Sequence, residues 1–182
     1  MNDPNSPAPV PAAFRGSTPR ALILDVDGVL TDNSIVLDAE GRESKRFHVP
    51  DGGGLKWVAQ CGVKIGWLSG RRSSAVEARA AELGIETVET GVSRKRPTLD
   101  QMIAEFEVDA NDVVYVGDDF IDLSAFAGVG LPVAVANAHP LVREAACAVT
   151  TRCGGDGAVR EVCEWILHAR NEFHQIMARF EA

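Results

Sequence analysis

The junction between Ala21-Leu22-Ile23-Leu24 and Asp25-Val26-Asp27-Gly28 constrains the fold more than any other stretch of the chain. An unbroken apolar run suits a strand buried on both faces, as in parallel sheets covered by helices. Carboxylates and a glycine at its end then fall at the carboxyl edge of the sheet, where such folds bind ligands. Two later segments repeat the arrangement. Val63–Leu68 leads into Ser69-Gly70-Arg71, and Val113–Val116 leads into Gly117-Asp118-Asp119. Parallel strands would bring all three polar clusters to one edge.

The remaining segments supply the helices that such a sheet needs. Leu55–Cys61, Ser73–Leu83, Pro97–Phe106, Asp122–Ala127 and Leu141–Ala146 read as helices, with Ser73 a candidate N-cap and Pro97 in a first turn. Glu86–Val88 and Val133–Val135 read as short strands, and a long last helix is expected from about Ala158 to Phe180. Its apolar stripe, which includes Val159, Val162, Ile166 and Phe173, suits core packing, with a subunit interface as the sharper alternative. Ser34–Leu37 and Glu43–Val49 flank the turn-rich Asp38-Ala39-Glu40-Gly41, so a hairpin is expected there. The expected fold is α/β, a doubly wound parallel sheet with a small β-hairpin flap.

Length and charge narrow the partners. A chain of 182 residues has room for one domain with a sizeable core. Residues 1–18 are rich in proline, serine and alanine and read as a disordered lead-in, leaving 19–182 as a single domain. The lead-in lacks the apolar core of a secretory signal. No apolar stretch approaches the roughly 20 residues that span a bilayer. A net charge of −8 with no dense basic run argues against nucleic acid as a partner. Cys61, Cys147, Cys153 and Cys163 show no CxxC spacing and read as buried free thiols of a reducing, cytoplasmic compartment.

The three strand ends carry residues suited to phosphoryl transfer. A carboxylate such as Asp25 can attack phosphorus and form an aspartyl-phosphate, which divides a difficult hydrolysis into two easier steps. A second acid two residues on, Asp27, can protonate the leaving oxygen and then deprotonate the attacking water. Magnesium prefers oxygen ligands and one or two carboxylates, which Asp25 and an acid of Gly117–Asp122 could supply. Asp119 or Asp122 could instead cap the following helix. Ser69 and nearby N–H groups could face a phosphate, and Lys95 could neutralise charge on it. A receiver-type phosphoacceptor domain uses similar groups, but a second acid two residues after the acceptor points to turnover.

The order Asp25-Val26-Asp27-Gly28, Ser69-Gly70, Lys95 and Gly117-Asp118-Asp119 resembles the four motifs of the haloacid dehalogenase superfamily, over about residues 20–160. The resemblance implies Asp25 as nucleophile and metal ligand, and Asp27 as acid/base and main-chain ligand. It implies Asp118 as the last protein ligand to Mg2+, with Ser69 and Lys95 on the phosphate. Absence of a long insertion after Asp27 or between Ser69 and Lys95 leaves no cap domain, which resembles a capless branch built as homotetramers. Members of that branch act on phosphates of eight-carbon keto-sugar acids, or in related enzymes of nine-carbon sialic-type acids. The implied substrate-binding positions are Asp27, His48, Val49, Asp51, Gly52, Lys56, Arg71, Arg79 and Lys95. Arginine suits the carboxylate of such a sugar acid. Pro50 and Lys56 stand where arginine is common in the branch, and Asp156 replaces another frequent arginine.

Overall fold

The computed structural model describes residues 9–180. Its centre is a six-stranded, wholly parallel sheet in the order β5-β4-β1-β6-β7-β8. The strands are β1 (Ala21–Leu24), β4 (Lys64–Leu68), β5 (Thr87–Glu89), β6 (Val113–Gly117), β7 (Leu131–Ala134) and β8 (Ala148–Val149). A separate antiparallel ribbon joins β2 (Val36–Leu37) to β3 (Glu43–Ser44). Every residue of β1 and β6 is buried, as expected for central strands covered on both faces. The α-helices are α1 (Val49–Gln60), α2 (Ser74–Leu83), α3 (Lys95–Phe106), α4 (Leu123–Phe126), α5 (Pro140–Ala145), α6 (Ala158–Ala169) and α7 (Phe173–Met177), with short 3₁₀ turns between some elements.

The chain starts its sheet at β1, winds outward through β4 and β5, then returns to the other side of β1 for β6. The reversal makes the carboxyl end of β1 a switch point, where two connections leave in opposite directions and open a crevice. The register sets Leu24 beside Trp67 on β4 and Val116 on β6. The residues that follow these strands therefore begin at one level.

Several sequence expectations need correction. Helix α1 starts at Val49, not Leu55, and runs through Gly52, Gly53 and Gly54. Glycine disfavours a helix interior, yet two of these sit where neighbouring side chains press close. A Cβ on Gly52 would lie 2.5 Å from Arg79 Nη2, and one on Gly54 only 3.1 Å from Cys163 Cβ. Close contact of α1 with α2 at Gly52 and with α6 at Gly54 thus offsets the roughly 1 kcal/mol that each glycine costs a helix. The expected long last helix breaks at Asn171, whose φ of 59° is left-handed, and resumes as α7. Within the first 18 residues, 1–8 lie outside the described residues. Ala12–Phe14 forms a 3₁₀ turn, and fully buried Phe14 packs edge-on against Trp165 at 5.5 Å. The ordered body therefore begins before residue 18. All four thiols are free, but Cys147 and Cys153 are exposed and only Cys163 is buried.

Candidate active site

Three of the implied residues meet at the end of β1. The Asp25 N–H donates to the Val116 carbonyl at 2.9 Å, which continues the β1–β6 ladder one step past the strand. Its side chain is buried, and Oδ1 accepts from the Val26 N–H at 2.7 Å and pairs with Lys95 Nζ at 2.8 Å. The second oxygen, Oδ2, makes neither contact. Lys95 opens α3, yet it is buried on this edge and reaches Asp122 Oδ1 at 2.7 Å. Ligand oxygens of Asp25, Asp118 and Asp122 lie within 4.8 Å of one another.

Asp122 organises this cluster. Tyr115 donates its hydroxyl to Oδ1 at 2.7 Å, and the N–H groups of Asp118 and Asp119 donate to Oδ2 at 3.0 and 3.2 Å. Asp119 in turn accepts from the Phe120 N–H, so the helix cap foreseen for one of these acids is a reciprocal pair formed by both. The contacts hold Asp118 at the end of β6, where Oδ2 accepts from Asn33 Nδ2 at 3.2 Å. Gly117 lets Asp122 fold back, because a Cβ there would lie 2.5 Å from the Asp122 Cβ.

The electrostatics favour a cation. Burial, then Asp122, outweighs Lys95 and lifts the Asp25 pKa from 3.8 to about 7. Burial, then Asp25 and Asp122, lifts Asp118 to about 8. Burial alone would lower the Lys95 pKa, but Asp25 and Asp122 overcome it and raise it. One buried ammonium thus serves three buried carboxylates, and a divalent ion beside Asp25 and Asp118 would remove the repulsion. The donor set fits magnesium, which takes oxygen ligands and needs only one or two carboxylates. Asp122, whose oxygens already accept four hydrogen bonds or ion pairs, suits a supporting position.

The other implied residues separate into two groups. Asp27 turns to the hairpin and pairs with Lys45, whose side chain is fully buried. Ser69 is buried, and its hydroxyl donates to the Arg71 carbonyl at 3.1 Å and accepts from the Arg71 N–H at 3.2 Å. Arg71 Nη2 meets Glu43 Oε2 on β3 at 2.5 Å. The second group surrounds the start of α1. His48 Nδ1 lies 3.4 Å from Asp51 Oδ2, and Asp51 Oδ1 accepts from the Arg160 N–H at 2.8 Å. Arg79 touches Gly52 and pairs with Glu82 at 2.7 Å, whereas Val49 and Lys56 face solvent. Among the described residues, no hydrogen bond or ion pair links this second group to Asp25, Lys95 or Asp118. Ser73, the expected N-cap of α2, makes no capping hydrogen bond.

Lys45, Glu43 and Asp122 were not singled out from the sequence as site residues. The alternation of Glu43 and Lys45 places both side chains on one face of an extended segment, a legible signal.

A buried aspartate paired with a buried lysine, beside a further acid with which it could hold a metal, at a switch point is the arrangement of phosphoryl-transfer enzymes of the haloacid dehalogenase type. Comparison with known proteins carries this further. The profile of the haloacid dehalogenase-like hydrolases matches residues 82–162. The 3-deoxy-D-manno-octulosonate 8-phosphate phosphatase of Yersinia pestis is 42% identical over 87% of this chain and 84% of its own. The Moraxella catarrhalis enzyme of that name, solved with magnesium, phosphate and the sugar acid, superposes with a TM-score of 0.89 at 37% identity, over 92% of this chain and 97% of that one. A cobalt-bound Haemophilus influenzae relative gives a TM-score of 0.83 at 38% identity, over 86% and 91% of the two chains. The chain belongs to the 3-deoxy-D-manno-octulosonate 8-phosphate phosphatase family. Membership in a hydrolase family sets the receiver-domain reading aside.

Proposed function

We propose that this protein hydrolyses 3-deoxy-D-manno-octulosonate 8-phosphate to the free sugar acid and phosphate, using magnesium, in the formation of lipopolysaccharide precursors. The convergence of Asp25, Lys95 and Asp118 at the end of β1 carries the reading, and 42% identity to enzymes of that name supports the substrate. Asp25 attacks phosphorus through Oδ2, the oxygen turned away from Val26 and Lys95. The bond to the sugar oxygen breaks, and Asp27 delivers a proton to that oxygen. Asp27 then takes a proton from water, which attacks the aspartyl-phosphate and releases phosphate. Lys95 neutralises the nucleophile and the phosphoryl oxygens, with Ser69 as a further donor to them. Asp25, Asp118 and the Asp27 carbonyl would hold magnesium, which when bound would offset phosphoryl charge.

Arg71 favours the eight-carbon over the nine-carbon acid, as related nine-carbon phosphatases tend to carry an acid at this position. His48, Val49, Asp51, Gly52, Lys56 and Arg79 form the remaining sugar-binding surface in this reading. Among the described residues no hydrogen bond or ion pair joins them to Asp25 within one subunit, and in this reading a homotetramer lets neighbouring copies complete each other's sites. Ile35, Val36 and Leu37 on the hairpin are each more than half exposed, an apolar surface suited to burial between copies. Sedimentation should then report four chains, and a monomer would remove this part. Among the described residues no helix is long and apolar enough to cross a membrane, and a cytoplasmic location completes the proposal.

Phosphate release from the eight-carbon and nine-carbon substrates, with magnesium and then with EDTA, tests the function. The eight-carbon substrate should have the higher kcat/KM, and EDTA should abolish turnover. Full activity in EDTA, or inertness toward both substrates, would sink the reading.

A further inference from the structure

The hairpin is bound to the body mainly through charges that also belong to the site. Only two residue pairs join β2 to β3, too few for independent stability in water. Three cations and their acids fasten the ribbon and its trailing segment. Lys45 pairs with Asp27, Arg46 Nη2 meets Asp32 Oδ2 at 2.9 Å, and Glu43 Oε2 meets Arg71 Nη2 at 2.5 Å. The last contact puts a carboxylate from the chain on Arg71, an implied substrate-binding residue whose guanidinium suits the carboxylate of a sugar acid.

We propose that Glu43 is a specificity-determining residue that occupies Arg71 in place of a ligand carboxylate and yields it when a sugar-acid phosphate binds. The inference rests on the proposed substrate class. Glu43 and a substrate carboxylate sharing one guanidinium would repel each other at close range. Glu43 also has a second cation within reach. Its Oε1 is buried without a hydrogen-bond partner and lies 3.4 Å from Lys45 Nζ, longer than an ordinary N–H···O bond. Release of Arg71 lets that loose contact tighten. Arg71 keeps 45% of its side chain exposed in the pair and can turn toward an arriving anion. A phosphate ester without a carboxylate leaves Glu43 on Arg71 and gains nothing from the guanidinium. A sugar acid gains Arg71, less the cost of separating it from Glu43. Glu43 thus acts through Arg71 and is a positioning residue.

The test compares Glu43→Gln with wild type on two substrates in magnesium. One is the eight-carbon sugar-acid phosphate, and the other is the same compound with its carboxylate reduced to an alcohol. Removing the competing charge should lower KM for the acid about three- to fivefold, the range of a half-exposed ion pair, with kcat little changed. The ratio of kcat/KM between acid and alcohol should rise by the same factor. Taking this ratio cancels any general loosening of the hairpin, because loosening affects both substrates. A constant or falling ratio would overturn the proposal, since it would make Glu43 a mere brace that orients Arg71. The phosphatase reading would then stand as long as wild type turns over the acid. If wild type hydrolyses neither compound, that reading fails and takes the proposal with it.

Discussion

The acid cluster at the end of β1 and the hairpin beside it are both built from opposite charges, but the charges are held differently. Asp25, Asp118 and Asp122 follow two fully buried strands; main-chain N–H groups donate to Asp25 and Asp122, and the Asn33 side chain donates to Asp118. Their geometry is set by the sheet register, and the price is mutual repulsion in a region poor in water. The hairpin has no such frame, and side-chain ion pairs hold it; Lys45 is buried, but Asp27, Glu43 and Arg71 keep part of their side chains open to solvent. A preformed cluster suits charge stabilisation at a reacting phosphoryl group, because donors that need not reorganise act at full strength. Exchangeable pairs suit a surface that must admit a substrate and release a product. The same chemical contact serves rigidity in one region and exchange in the other.

The sharpest way to break this comparison is to remove the nucleophile and keep its volume. Asp25→Asn should lower phosphate release by roughly four orders of magnitude or more, in line with losses on deleting a covalent nucleophile. Circular dichroism should show an unchanged fold, because the substitution also relieves repulsion with Asp118 and Asp122. Retained turnover would show that the cluster is structural.

Lys95→Met probes the rigid region from the cation side. Lys95 is buried and faces Asp25 and Asp122, so its loss leaves carboxylates without their partner. Breaking a buried pair from one side costs about 3–5 kcal/mol. Urea unfolding should report a loss of that size without magnesium and a smaller one with it, as the ion supplies the missing charge. Equal losses in both conditions would mean that the cluster does not bind the ion.

Much of the rigid region was legible in the sequence, because its rule is simple. Three apolar runs end in Asp25, Ser69 and Gly117-Asp118, and parallel pairing with the β1 register brings those ends together. Legibility failed where tertiary contact overrode local preference. Gly52-Gly53-Gly54 looks like a loop and is helix, because α6 and Arg79 press against it. Asn171 looks like a tolerated helix residue and is a break. Lys45 was missed for a different reason: its alternation with Glu43 indicates a shared face, but not that folding will bury the lysine on Asp27. Asp119 or Asp122 was read as a cap, and the two share it, with Asp119 at the N-cap; the hold of Asp122 on Lys95 arises only when α3 packs against α4 and β4.

Proton linkage gives a third, smaller test of the rigid region. In the metal-free protein Asp25 and Asp118 titrate at about 7 and about 8, against 3.8 ordinarily. Burial raises Asp51 as well. Between roughly pH 4 and 8 the folded state therefore holds protons that the unfolded chain has released, and stability falls as pH rises. Acids whose pKa is lowered, such as Asp32 and Glu43, act below this window. In EDTA the melting temperature should decline from pH 5 to 8, and magnesium should raise it more at pH 8 than at pH 5. A melting temperature that climbs across this range in EDTA would contradict the repulsion assigned to the cluster.

The smallest expected effect on stability comes from the exchangeable region. Lys45→Met removes the cation from Asp27 and Glu43 and keeps the apolar stem. Asp27 and Glu43 retain about a fifth of their side-chain exposure, at 20% and 18%, so water can solvate the released carboxylates. The loss should be about 1 kcal/mol in urea, near the upper end for accessible ion pairs and well below that for Lys95. Turnover should suffer more than stability, because Asp27 loses the group that orients it toward the leaving oxygen. If Lys45→Met instead cost as much stability as Lys95→Met, the hairpin would be part of the rigid frame. The division between fixed and exchangeable charge would then disappear.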